Sequence, residues 1–97
     1  MSRVPFHPTA FEEFAAVAAQ YHAVAPALGA EFVAEVERAT ARIATFPEHG
    51  SPYLAGTRRV LLRRFPFSVV YSSENEGILI VAVAHQRRRP GYWAGRL

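Results

Sequence analysis

His85, Arg87, Arg88, Arg89, Tyr92 and Trp93 crowd into a nine-residue stretch of the chain, and Arg58-Arg59 and Arg63-Arg64 form two further basic pairs upstream. These residue types can do two kinds of chemistry. A histidine gains and loses a proton near neutral pH, so His85 is a candidate base or acid. A guanidinium presents a planar fork of donors that matches carboxylate or phosphate and stays protonated, so the arginines can clamp an anion but not act as bases. Tyr92 can donate a proton or offer a stacking face. Three adjacent guanidiniums repel one another unless something anionic lies nearby, which points Arg87, Arg88 and Arg89 toward a partner. Each residue also has a structural reading. His85 ends an apolar run as a hydrogen-bonded histidine would, Tyr92 and Trp93 can cover the end of a core, and arginines at strand ends often guard edges. His7, His22 and His49 have no metal-ligand spacing and the chain has no cysteine, so no metal or other cofactor is expected.

The charge is uneven. Through Glu48 there are six Glu and three Arg, a balance of −3; from His49 onward there are eight Arg and two Glu, a balance of +6, and the two sum to the net +3. There is no lysine. The basic half therefore seeks an anionic partner, either nucleic acid or an acidic protein segment. A length of 97 residues with 51% apolar content is enough for one domain, expected over 1–97. The longest apolar run, Ile78 to Ala84, is strand-sized, well short of the roughly 20 residues that cross a bilayer. The first residues lack the apolar core of a signal peptide, so a cytoplasmic location without membrane association is expected.

The elements that must position these groups follow from periodicity. Val4 to His7 reads as a short extended segment. Thr9 and Glu12 form a capping box for a helix over about Ala10–Val24, with Phe11, Phe14, Ala15, Ala18 and Tyr21 on one face. Pro26 suits the first turn of a second helix over about Ala27–Thr45. Its stripe is Leu28, Phe32, Val36, Ala39, Ile43 and Phe46, with Glu31, Glu35, Arg38 and Arg42 outside and Glu35 placed to pair with Arg38. Residues 47 to 56 read as a loop. Three strands are expected over Arg58–Arg64, Phe67–Ser72 and Ile78–His85, the last apolar on both faces and so central. Ser73 to Gly77 reads as a hairpin loop. Pro90-Gly91 bars a long helix from the tail. The expected fold is α+β, in the order β-α-α-β-β-β: an antiparallel sheet with a helical hairpin packed on one face.

This order and four sets of residues resemble the RelE/ParE superfamily of bacterial toxins, the plasmid-stabilisation-protein-like toxins of type II toxin–antitoxin systems. The first set is Phe14, Tyr21, Pro26-Ala27-Leu28 and Phe32-Val33-Ala34-Glu35-Val36. The second is the corner Phe46-Pro47-Glu48-His49-Gly50 with Arg58-Arg59-Val60. The third is Phe65 through Tyr71, similar to "FPY.V.Y". The fourth is Ile78 through Trp93, similar to "I.I.AV.H..R.P.YW". Together they span nearly the whole chain.

The resemblance implies a toxin that causes growth arrest and is neutralised by a cognate antitoxin, whose binding segment the charge pattern makes acidic. It implies one of two targets: DNA gyrase, poisoned without cleavage, or the ribosome and its mRNA, cut without a metal. In the nuclease case His85 would be base or acid, Arg87 with Arg59 or Arg63 would stabilise the phosphorane, and Tyr92 would donate a proton. RelE-like nucleases are also rich in lysine, which this chain lacks, so the gyrase-directed reading is favoured and whether the chain is an enzyme stays open. In either case Arg87, Arg88, Arg89 and Trp93 are the expected partner- or target-binding residues. A nucleic-acid-binding module and an inactive relative are the remaining readings. Oligomeric state is not legible.

Overall fold

The computed structural model describes residues 4–73 and 77–97. Two helices, α1 (Pro8–Val24) and α2 (Pro26–Thr45), precede four strands, β1 (Ser51–Pro52), β2 (Arg58–Leu61), β3 (Phe67–Ser72) and β4 (Leu79–His85). The strands form an antiparallel sheet in the order β1-β2-β3-β4. The expected N-terminal strand is only one parallel bridge, Phe6 to Ile80, fixed by bonds from the His7 amide to the Ile80 carbonyl (2.8 Å) and from the Ile80 amide to the Pro5 carbonyl (2.9 Å). β4 is therefore flanked on both sides. The 47–56 loop hides a strand: β1 pairs Ser51 with Arg59 and Pro52 with Arg58. The middle of the expected hairpin loop, residues 74–76, lies outside the described residues.

Both helices start on a proline, where the missing N–H costs nothing. The expected capping box is displaced: α1 begins two residues earlier, and the His7 ring accepts from the Thr9 amide at Nδ1 (3.1 Å). The inward face of α1 is also turned from expectation. Ala10 is buried, with Phe14, Val17, Ala18 and Tyr21 packed on the core, while Phe11 is 55% exposed. Phe32, Val36, Ala39 and Ile43 of the α2 stripe are buried as read, while Leu28 is only partly buried and Phe46 is exposed.

The helices cover one sheet face. Phe32 sits at its centre, 5.3 Å from Phe65 and 5.6 Å from Phe67 between ring centroids, with Tyr21 bridging to Phe65 at 4.9 Å. Glu35 corrects the sequence reading. It is buried at 7% exposure and accepts from the amides of Arg63 and Arg64, closing the β2–β3 turn, so it does not pair with Arg38. Glu31 pairs with Arg64 instead (3.1 Å). The Pro47–Gly50 corner is set by Tyr71, whose hydroxyl donates to the Pro47 carbonyl (2.7 Å) and accepts from the Gly50 amide (2.8 Å). A Cβ at Gly50 would lie 2.8 Å from that hydroxyl oxygen, so only glycine admits this approach.

The opposite sheet face carries a second cluster: Val70, Val81, Ala82 and Ala84, roofed by Trp93 from the tail. Strict alternation along β4 would not place Val81 and Ala82 together. A β-bulge does so: Val70 pairs with Ala82 and Tyr71 with Ile80, leaving Val81 as the extra residue.

Candidate functional site

The tail after β4 turns back across this second face. The Arg88 amide donates to the His85 carbonyl (2.9 Å), and the Gln86 amide to the Pro66 carbonyl (2.8 Å). The turn leaves Arg87, Arg88 and Arg89 exposed, and Ala94–Arg96 closes the chain as one 3-10 turn. Beneath it lies a recess of about 80 Å³, lined on its apolar side by Val70, Ala84 and Trp93 and on its polar side by Ser68, His85, Arg59, Arg88 and Arg89. Tyr53 and Tyr92 complete the wall.

Each tyrosine ring carries a guanidinium: Arg59 lies 4.1 Å over Tyr53 and Arg88 lies 4.0 Å over Tyr92. Stacking on a ring partly desolvates a guanidinium and fixes its plane while leaving its edge donors free. Tyr53 is positioned by a tight turn. Its amide donates to the Thr57 carbonyl (2.8 Å), and the Thr57 hydroxyl to the Leu54 carbonyl (2.6 Å). Within this turn Ala55 holds a left-handed φ of 55°, which costs a residue with a Cβ about 1 kcal/mol.

The tail is locked by one carboxylate. Glu13 of α1 accepts from the Tyr92 hydroxyl (2.8 Å), from both terminal nitrogens of Arg96 (2.9 Å each) and from the Val83 amide (3.1 Å). Arg96 also donates to the Val81 carbonyl (3.0 Å), so the two side chains occupy the outer edge of β4 beside the bulge. Burial pushes the Glu13 carboxyl up, but its bonds from Arg96, Tyr92 and Val83 outweigh that and hold it below the ordinary carboxylate value. Burial and the bond to Glu13 push the Tyr92 phenol up to about 12. The Arg96 guanidinium is raised, mainly by its bond to Glu13.

His85, Arg59, Arg88, Arg89, Tyr92 and Trp93 thus meet at the recess, while Arg87 and Arg63 do not line it. Trp93 is 1% exposed and 6.0 Å from Tyr53 between ring centroids, so it serves as floor and core rather than as a surface contact. The His85 Nδ1 accepts from the Arg87 amide (3.0 Å), which places the neutral ring's proton on Nε2. Among the described residues the ion pairs are Arg64–Glu31 and Arg96–Glu13, so no carboxylate neutralises Arg59, Arg87, Arg88 or Arg89. The sequence reading missed Tyr53, Ser68, Glu13 and Arg96. A signal existed for Glu13, a carboxylate on the same helical stripe as Ala10, Phe14 and Val17, and for Ser68, a hydroxyl between the apolar Phe67 and Val69 of β3.

No helix of the described residues is long and apolar enough to cross a membrane. The geometry can hold an anion between stacked guanidiniums. Residues 4–90 match the family model of the ParE toxin of the type II toxin–antitoxin system parDE. Among curated proteins none matches the chain. The fold is similar to a solved chain of the chromosomal ParDE TA system from P. aeruginosa, with a TM-score of 0.73 and 18% identity, covering 88% of this chain and 96% of that one. The match over nearly the whole length places the chain in the ParE toxin family of type II toxin–antitoxin systems.

Proposed function

We propose that this toxin acts in the cytoplasm as one domain, arrests growth by binding DNA gyrase, cleaves no RNA itself, and is silenced by an antitoxin with an acidic segment. The state of Tyr92 and His85 carries this reading. A ribonuclease without a metal needs a group that gives up a proton and another that takes one. Tyr92 holds its proton on Glu13 and its phenol is raised to about 12, which makes it a poor acid near neutral pH. The lone pair of the His85 Nδ1 is engaged by the Arg87 amide, and its Nε2 then carries the proton a base would need to accept. Arg63 stands away from the recess, at the turn that Glu35 closes. The exposed arginines of the 87–89 turn, which pair with no carboxylate among the described residues, suit an acidic protein surface.

The test is a pulse-labelling time course after induction of the toxin alone, with thymidine and amino-acid incorporation followed side by side. Thymidine incorporation should fall first, and purified protein should inhibit gyrase supercoiling. Protein synthesis failing first, with cleaved mRNA, would overturn the reading.

A further inference from the structure

The recess between Arg59 and Arg88 has features that the toxin reading does not use. Ser68 is 3% exposed and lines the recess. Three guanidiniums and the Ser68 hydroxyl surround a floor of Val70, Ala84 and Trp93, and among the described residues no carboxylate lines the wall. We infer that the recess is a socket for one carboxylate side chain, an Asp or Glu beside apolar residues, presented by a protein partner.

Three observations select this occupant over a nucleic acid. The recess, about 80 Å³, suits a side-chain head group rather than a nucleotide. Its floor is apolar, which rewards a charged group delivered on an aliphatic stem. Most telling, the aromatic faces that a base would need are taken. Tyr53 lies under Arg59 with Trp93 packed beside it, and Tyr92 carries Arg88 at 4.0 Å and Arg96 at 5.2 Å from its ring centroid. Single-strand binders keep such rings open for stacking. A carboxylate needs only the guanidinium edges, which stacking leaves available, and the Ser68 hydroxyl as a further donor. The inference rests on the toxin reading only in taking the partner to be a protein; it does not depend on which protein.

The test uses the full chain labelled with ¹⁵N, titrated with propionate, with its neutral isostere propionamide, and with inorganic phosphate, while the Ser68 amide, the Trp93 indole and the Arg59 and Arg88 side-chain signals are followed. Propionate should shift these signals saturably, with a dissociation constant on the order of 10 mM, and propionamide should not. Arg59→Gln and Ser68→Ala should each weaken propionate by about fivefold or more, with α2 resonances unmoved to show the fold intact. Arg38→Gln, on the outer face of α2, should change nothing. Diffuse or unsaturable shifts, or an equal loss in Arg38→Gln, would overturn the socket. Phosphate binding more than about tenfold tighter than propionate would overturn the carboxylate and make this a phosphate site. The titration involves no gyrase, so the socket and the target can fail separately.

Discussion

The two faces of the sheet are held by different physics. The helical face is an apolar core: Phe32, Val36, Ile43, Val69, Tyr71 and Ile80 are all essentially inaccessible, and aromatic rings interlock from Phe14 through Phe32 to Phe65 and Phe67. The tail face has a much smaller apolar cluster under Trp93, and a polar clamp fastens its cover: Glu13, Tyr92 and Arg96. Non-directional burial tolerates exchange of one apolar group for another. A clamp of four hydrogen bonds on one carboxylate does not, and it holds the neighbouring side chains in one geometry. The exposed arginines of the 87–89 turn, which pair with no carboxylate among the described residues, lie on the clamped side, so the face with less apolar burial is the one that presents the chemistry.

Three variants should sharpen that contrast. The largest effect is expected from Phe32→Ala, which empties the centre of the helical face and should cost about 3–5 kcal/mol in denaturant unfolding. If it cost under 1 kcal/mol, the helical face would not be the main source of stability.

Glu13→Gln comes next. It leaves Arg96, whose side chain is only 15% exposed, without its carboxylate, and should cost about 2–3 kcal/mol, below the range for fully buried pairs because the clamp is partly wet. Its signature is the pH dependence. The folded carboxyl titrates below its ordinary value of 4.5, so its contribution is full above that value and is lost as pH falls through the lower folded value. The variant should therefore show a shallower loss of stability in acid than the parent; parallel acid profiles would remove Glu13 from the clamp.

Tyr92→Phe should have the smallest effect, about 1 kcal/mol for one hydrogen bond. The phenol titrates at about 12 in the fold, above its ordinary value of 10.0. Its contribution is full below pH 10 and is lost as pH rises toward 12, so the parent should weaken over that window and the variant should lack that component. An unchanged alkaline slope in the variant would show that Tyr92 does not reach Glu13.

Much of the helical face was legible because its information is local. The stripe from Leu28 to Ile43 repeats at helical spacing, and β3 spans Phe67–Ser72 as read. The misses share a cause in sequence distance or in register. Glu35 reads as an outer-face residue until the turn 28 residues later supplies donors. β1 is two residues in a proline-bearing loop, and no periodicity can appear over that length. The bulge at Val81 leaves no local mark, yet it decides which β4 side chains face the tail. At the site, the residue types of the recess were visible, but its arrangement was not. In sequence Trp93 reads either as a partner contact or as cover for the end of the core, and only the return of the tail over Val70 and Ala84 makes it a floor. Tyr53 reaches the recess through a turn with a left-handed alanine, which residue type argues against.

The Glu13–Arg96 bond joins residues 83 positions apart. Closing so long a loop costs chain entropy before any contact repays it, whereas α1–α2 and β3–β4 close through short connections. In kinetic terms the clamp belongs late on the folding route, after the transition state has assembled the helical hairpin and sheet. Weakening it should then speed unfolding and leave the folding rate almost unchanged, which a chevron of Glu13→Gln would read as a shift in the unfolding limb alone. The tail face is thus a latch whose strength sets how long a folded molecule keeps its arginine turn, and much less how quickly the molecule forms.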